Sequence, residues 1–184
     1  MASLSKLPTI DQVPSLPTEQ RAAILDLLFE PSTQLHTLAV PLLQEKAFTS
    51  YDDLISAVGV QLTDLSESAS TSDTAWLHDI LGSHPSLGAK KVDSAQSQAE
   101  QAQLQGSGEE AEQLKSLNEQ YEEKYPGLRY VVFVNGRSRP VIMEDMKQRI
   151  TNSDIKTEQA SAIRVCIIIS TVHEHSLKCE LGYV

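Results

Sequence analysis

Apolar side chains that recur at helical spacing, separated by short breaking segments, constrain the fold of this chain most strongly. Ile24, Leu25 and Leu28 share one face of a helix that can begin near Thr18. Residues 109–124 show the same pattern. The 184 residues suffice for one domain with a sizeable core. The sequence therefore predicts an all-α fold, a helical bundle formed by a single domain over residues 1–184.

Breaking residues predict where several helices end. Gly59 is placed to end a helix whose cap lies at Ser50, and the Ser/Thr/Asp-rich residues 63–74 indicate a solvated loop. A short helix over residues 75–81 then ends at Gly82, which can take the left-handed conformation. Helical propensity without much apolar surface is also present in residues 92–105, which we expect on the surface or over a cleft.

The C-terminal third contains one short apolar run and two further helical patterns. Residues 130–134 fit a buried strand or an extended segment, and periodicity does not decide between them. Asn135 and Gly136 end this run, and Pro140 suits the first turn of a helix over residues 139–150. A last helix is predicted to begin near residue 157.

Composition excludes several classes of protein. There are 15 Lys and Arg against 25 Asp and Glu, a net charge of −10, and no basic patch dominates, so we expect no nucleic-acid partner. No apolar run is long enough to cross a bilayer. Cys166 and Cys179 are too few for a disulfide framework or a cysteine metal site, which favours a reducing, intracellular compartment. The first residues contain no long apolar core, so we expect no secretory signal.

The best candidate for chemistry is His84, which lies just past a predicted helix end. Pro85 favours an extended backbone at His84, so the imidazole is held on a stiff, irregular connection. Side chains that meet ligands are often placed this way, and an imidazole can exchange a proton near neutral pH. A structural alternative is a histidine that only bonds to the end of a helix.

Two other segments offer polar groups to a ligand. Ser97, Glu100 and Gln101 would point to one side of a helix, because they are spaced by three and four residues. The backbone amides of residues 132–136 would line a pocket, with Gly136 permitting close approach. The alternatives are a solvated helix face for the first segment and core packing for the second.

The remaining histidines indicate no metal site. His36 and His78 fall within helical patterns, where packing or exposure explains them. His173 and His175 flank one glutamate, but a His-x-His pair without a third ligand is a weak metal signal. No glycine-rich phosphate loop, nucleophile elbow or Cys-His pairing is visible in the sequence.

Several of these segments resemble motifs of one enzyme family. The family is that of the 2-oxo-4-hydroxy-4-carboxy-5-ureidoimidazoline (OHCU) decarboxylases, the ureide enzymes of urate breakdown. The resemblance extends from about Leu16 to Arg164, with the motifs in the family's order. The segments that carry it are Leu28-Phe29-Glu30-Pro31-Ser32, His84-Pro85-Ser86-Leu87-Gly88, Ser97-Gln98-Ala99-Glu100-Gln101, residues 117–125 and residues 131–138.

The resemblance implies an all-helical homodimer that uses no cofactor or metal. It implies stereoselective loss of carbon dioxide from a small ureidoimidazoline substrate, which gives (S)-allantoin. His84 would be the catalytic acid or base, and Glu100 would orient it or bind the substrate nitrogens. The residues that would line the substrate site are Pro85, Ser97, Gln101, Val132, Phe133, Val134, Asn135 and Gly136.

The last twenty residues depart from the family pattern. Residues 165–184 form an atypical tail, rich in β-branched residues, where the family carries an arginine that meets the substrate carboxylate. Thr171, Val172 and His173 lie near the expected position, and Arg164 is too early by about two turns. The alternative functions are therefore a catalytically impaired scaffold that binds a ligand and, more remotely, a helical interaction module.

The resemblance also implies a peroxisomal location. Leu181-Gly182-Tyr183-Val184 is not a peroxisomal tripeptide signal, which leaves the cytoplasm as the alternative location.

Overall fold

All regular secondary structure in the described part of the chain is helical. The computed structural model describes Leu4, residues 6–88 and residues 108–179, with backbone alone at residues 178 and 179. No strand occurs within these ranges, so the all-α prediction is confirmed. Among the described residues, a 3₁₀ helix over Ile10–Ser15 precedes seven α-helices, which are α1 (Thr18–Leu28), α2 (Thr33–Glu45), α3 (Tyr51–Glu67), α4 (Thr71–Leu81), α5 (Glu109–Lys124), α6 (Arg139–Asn152) and α7 (Ile155–Cys179).

Helices α3 and α7 form the centre of the bundle. They pack along each other, α1 also contacts α7, and α2 contacts α1, α3 and α4. Helix α5 packs on α6. The apolar stripes of α3 and α7 are buried between their neighbours, and their members are Leu54, Ile55, Val58, Leu62, Ala162, Ile163, Cys166 and Ile169. None of the described helices is long and apolar enough to span a bilayer.

Serine caps begin three of the helices. The Ser50 hydroxyl accepts a hydrogen bond from the Asp53 amide at 3.1 Å, which confirms the predicted cap of α3. Ser32 and Ser70 do the same for α2 and α4. The cap of α3 was predicted because capping is a local interaction, whereas the Ser70 cap of α4 was not predicted.

The predicted end of α3 and the loop after it were wrong. Helix α3 continues past Gly59 to Glu67, and α4 begins at Thr71, four residues before the predicted start, so residues 68–70 alone separate the two helices. Gly59 instead lets α7 approach, because a Cβ there would lie 2.9 Å from Ile167 Cδ1. A long-range contact explains this glycine, and sequence periodicity does not report such contacts.

Gly82 does not take the predicted left-handed conformation. Its φ of −75° and ψ of −9° are right-handed helical values. A Cβ at this position would lie 2.8 Å from the His78 carbonyl oxygen and 3.1 Å from that of Gly127. The close approach of two backbone carbonyls, not a positive φ, therefore explains the glycine.

The atypical tail continues the last helix as far as Cys179. Helix α7 begins at Ile155, two residues before the predicted start. It runs through residues 165–172, which are rich in β-branched side chains, and buries Ile169, Ser170 and Glu174. Helix propensities differ by at most about 0.7 kcal/mol per ordinary residue, whereas burying an isoleucine contributes roughly 1.5–3 kcal/mol. Burial therefore outweighs the low propensity of this segment.

A polar network joins the three C-terminal helices of the described chain. Tyr121 of α5 donates a hydrogen bond to Glu158 Oε2 of α7 at 2.6 Å. Arg149 of α6 contacts the same oxygen at 3.3 Å and lies over the Tyr130 ring at 5.1 Å. Tyr130 also donates to Asp145. The buried Glu158 carboxylate is therefore paired with a cation and a hydroxyl, as a buried charge requires.

Candidate active site

His84 lies on an irregular connection just after α4, as predicted. The Ser83 hydroxyl donates to the Ile80 carbonyl oxygen at 2.7 Å, and the chain bends at His84. The His84 side chain is buried, with 8% of the residue exposed. The connection is tied to α5, because Asn118 Nδ2 donates to the Leu87 carbonyl oxygen at 2.9 Å. These contacts fix the chain on both sides of His84.

The His84 imidazole is neutral at neutral pH. Burial, together with the smaller effect of the nearby charge of His173, lowers its pKa from 6.5 to about 4. Both effects disfavour a second proton on the ring. A neutral imidazole has one nitrogen that can accept a proton, so His84 is able to begin a reaction as a base.

His173 of α7 belongs to the same site. Its Nδ1 lies 3.3 Å from the Leu28 carbonyl oxygen, so Nδ1 carries a proton and donates it. Burial lowers the pKa of His173, although the Leu28 hydrogen bond and the charge of Glu30 both raise it. In the neutral ring, Nε2 is therefore the acceptor. When His173 is protonated, its charge disfavours a second proton on His84.

The sequence marks His173 as half of a weak metal-binding pair with His175 and as one of three residues near the position of the family's arginine. The structure separates the two, because His175 is exposed and its Nδ1 contacts the Thr171 carbonyl oxygen at 2.7 Å. No cluster of three possible metal ligands occurs among the described residues. A signal for His173 was present, since it follows the apolar Ile169 by four residues and so shares its helix face.

The other two predicted histidines have structural partners. His36 Nε2 lies 2.6 Å from Asp26 Oδ1, which links α2 to α1. His78 Nε2 lies 2.8 Å from Gln159 Nε2, which links α4 to α7. These contacts agree with the prediction that neither residue indicates a metal site.

Residues 132–136 form an extended segment that ends in a tight turn. Val132 and Val134 are buried, whereas Asn135 and Gly136 are exposed and have positive φ values of 44° and 71°. No strand forms here, so the extended alternative is correct. A Cβ at Gly136 would meet nothing within 4 Å. This open space leaves the turn accessible to a ligand.

Arg137 donates hydrogen bonds to two carbonyl groups of this segment. Its guanidinium donates to the Phe133 carbonyl oxygen at 2.6 Å, and its backbone amide donates to that of Val134 at 2.9 Å. The segment therefore offers amide donors to a ligand more readily than carbonyl acceptors. Phe133 is half-buried and Pro85, beside His84, is likewise half-buried.

The other predicted site residues cannot be placed. Ser97, Glu100 and Gln101 lie outside the described residues, as does the predicted surface helix over residues 92–105. The predicted pairing of His84 with Glu100 therefore stays a prediction. Within the described ranges, His173 lies near enough to His84 for its charge to lower the His84 pKa.

Comparisons with known proteins place the chain in one family. The family model described as OHCU decarboxylase matches residues 14–171, which is most of the chain. A crystal structure of (S)-allantoin synthase has the same fold, with a TM-score of 0.60 and 19% sequence identity. The alignment covers 92% of this chain and 54% of that one, so this chain spans about half its length. No curated protein matches the sequence. The chain belongs to the OHCU decarboxylase family.

Proposed function

We propose that this protein decarboxylates 2-oxo-4-hydroxy-4-carboxy-5-ureidoimidazoline and releases (S)-allantoin. Membership of a decarboxylase family supports the reaction class. The observation that carries the proposal is His84, a buried and neutral imidazole held on the irregular connection that contains the family's His-Pro-x-Leu-Gly motif. The likeness to (S)-allantoin synthase supports the fold, and at 19% identity it supports nothing finer.

The substrate carries its own electron sink. When the carboxylate leaves ring carbon 4 as carbon dioxide, its electron pair moves toward carbon 5 and into the adjacent imine, whose nitrogen takes a proton from solvent. The product of this step is an enol that bears the 4-hydroxyl group. Conversion to allantoin then requires the loss of the hydroxyl proton and the gain of one proton at carbon 5.

A neutral His84 suits both proton transfers. It accepts the hydroxyl proton as the carbonyl forms, and the resulting imidazolium donates a proton to carbon 5 from one face. Protons and charge then balance without a second acid on the ring carbon. Addition from one face gives one enantiomer, whereas spontaneous decay gives the racemate. The lowered pKa of His84 favours its role as the initial base.

His173 is suited to the substrate carboxylate in this proposal. An anion near the two imidazoles stabilises their protonated forms, so substrate binding draws a proton onto the pair. Glu30, whose charge raises the pKa of His173, adds to this effect. His173 lies close to the position where the family carries an arginine, while Arg164 is exposed on α7.

The remaining roles rest on the family resemblance. Glu100 would orient His84 or bind the ureido and ring nitrogens, and Ser97 and Gln101 would contact the substrate beside it. Pro85 and the amides of residues 132–136 would complete the site. The resemblance also supports a homodimer, no cofactor or metal, and a peroxisomal or cytoplasmic location.

The test is to mix the purified protein with freshly generated ureidoimidazoline and to follow optically active allantoin by circular dichroism. We expect an (S)-selective signal that grows faster than spontaneous decay. A decay rate equal to that of buffer alone would overturn the proposal.

The second candidate, an impaired scaffold that binds the ligand, is favoured by the histidine in place of the expected arginine. Arginine makes bidentate, charge-assisted contacts with a carboxylate that an imidazole does not reproduce. Under this alternative, calorimetry detects allantoin binding to a protein that does not accelerate decarboxylation.

A further inference from the structure

Three side chains form a compact polar contact beside His84, which we call the clasp. The Ser86 hydroxyl donates to Glu122 Oε1 at 3.0 Å and accepts from Arg129 NH1, also at 3.0 Å. Arg129 also pairs directly with the Glu122 carboxylate. The clasp therefore closes a triangle in which each member contacts the other two.

The clasp joins two segments of the proposed site through one helix. Ser86 lies two residues after His84, and Arg129 lies three residues before Val132. Glu122 lies on α5, one turn after Asn118, whose amide binds the Leu87 carbonyl oxygen. Helix α5 therefore contacts the His84 connection at two successive residues, Ser86 and Leu87. Arg129 links Ser86 to the segment that leads to residues 132–136.

We infer that Arg129 and Glu122 are positioning residues, which fix His84 relative to the 132–136 segment by holding Ser86 between them. The inference rests on the proposed function and goes beyond it, because none of these three side chains is assigned a contact with the substrate. Ser86 occupies the variable position of the His-Pro-x-Leu-Gly pattern, so the motif does not by itself imply the clasp.

The expected effects on stability and on reaction rate distinguish positioning from a purely structural role. The Arg129 and Glu122 side chains are 37% and 31% exposed, and ion pairs this open to solvent add little to the stability of folded proteins. In contrast, displacing a catalytic group by about 1 Å can cost on the order of a hundredfold in rate. Loss of the clasp should therefore impair turnover much more than it impairs folding.

The test compares Arg129→Gln and Ser86→Ala with a control on the same helix. Glu119→Gln removes the carboxylate of another α5 ion pair, in which Glu119 Oε1 lies 3.7 Å from Lys115 Nζ on the exposed face. We expect kcat to fall at least about tenfold in both clasp variants, with KM changed by less than about threefold. The double variant should be no worse than either single variant, because the two residues act as one unit.

Stereochemistry provides a readout that partial unfolding does not move. Fewer folded molecules would lower the rate without changing the enantiomeric ratio of enzyme-made allantoin. A displaced His84 would deliver its proton less selectively, so the (S) excess should fall in the clasp variants, after correction for spontaneous decay, and stay unchanged in Glu119→Gln. Wild-type kcat and wild-type (S) excess in folded clasp variants would overturn the inference.

A measurement on the free protein separates this inference from the proposed function. The His84 pKa, followed by NMR, should rise from about 4 toward 6.5 in Arg129→Gln as the connection admits water, and should not change in Glu119→Gln. An unchanged His84 pKa in Arg129→Gln would contradict the clasp even if the wild-type protein proved inactive. Wild-type inactivity together with a raised pKa in the variant would refute the proposed function alone.

Discussion

Replacing His84 with glutamine should make the fold less sensitive to acid. The His84 pKa falls from 6.5 in the unfolded chain to about 4 in the folded protein, because burial disfavours the charged ring. Between these values the unfolded chain binds more protons, so the free energy of unfolding falls as the pH falls. Above the unfolded pKa the ring is neutral in both states, so the free energy of unfolding keeps its full value there. Relative to that full value, the free energy of unfolding should be lower by about 2 kcal/mol at about pH 5 and by about 3 kcal/mol at about pH 4.

The assay is urea denaturation, followed by circular dichroism, at about pH 7.5 and about pH 5. Other groups also bind protons on acidification, so the decisive quantity is the difference between wild type and His84→Gln. Wild type should lose about 2 kcal/mol more than the variant on acidification. His175→Gln, which removes an exposed imidazole, is the control. Equal losses in wild type and His84→Gln would refute the assignment of His84 as a buried, neutral group.

Three further predictions concern the packing around the site. Glu158→Gln, which removes the buried charge of the polar network, should lower the free energy of unfolding by about 2 kcal/mol or more, and an unchanged urea midpoint would contradict it. Gly127→Ala should cost at least about 2 kcal/mol by the same assay, because its φ is +87° and a Cβ would lie 2.5 Å from His78 Nδ1. Burial raises the Cys166 pKa to about 12, so its thiol should be labelled at least about a hundredfold more slowly in the folded protein than in urea. Peptide mapping measures both rates, and equal rates would contradict this prediction.

Local patterns in the sequence predicted much of the fold. The bounds of α5 were predicted as found, and α1 begins at the predicted residue, because apolar spacing and turn residues are local signals. The errors at Gly59 and Gly82 have one cause. Each glycine permits a contact with a distant part of the chain, α7 for Gly59 and the Gly127 carbonyl for Gly82. Composition alone does not distinguish such a contact from a helix end.

The candidate site was predicted only in part for the same reason. His84 was found because Pro85 and the surrounding motif mark it locally. His173 was missed, because its proximity to His84 depends on how α7 packs near the end of α4, about ninety residues away along the chain. The clasp was also missed, since a serine, a glutamate and an arginine carry no signal until the fold brings them together.

The central claim is that His84 transfers the proton that sets the configuration of allantoin. The most direct measurement is the rate and (S) excess of allantoin produced by His84→Asn, at the same folded concentration as wild type and at saturating substrate. The variant should give racemic allantoin at the spontaneous rate, while wild type gives the (S) enantiomer rapidly. Near-normal turnover with an (S) product from His84→Asn would contradict the claim.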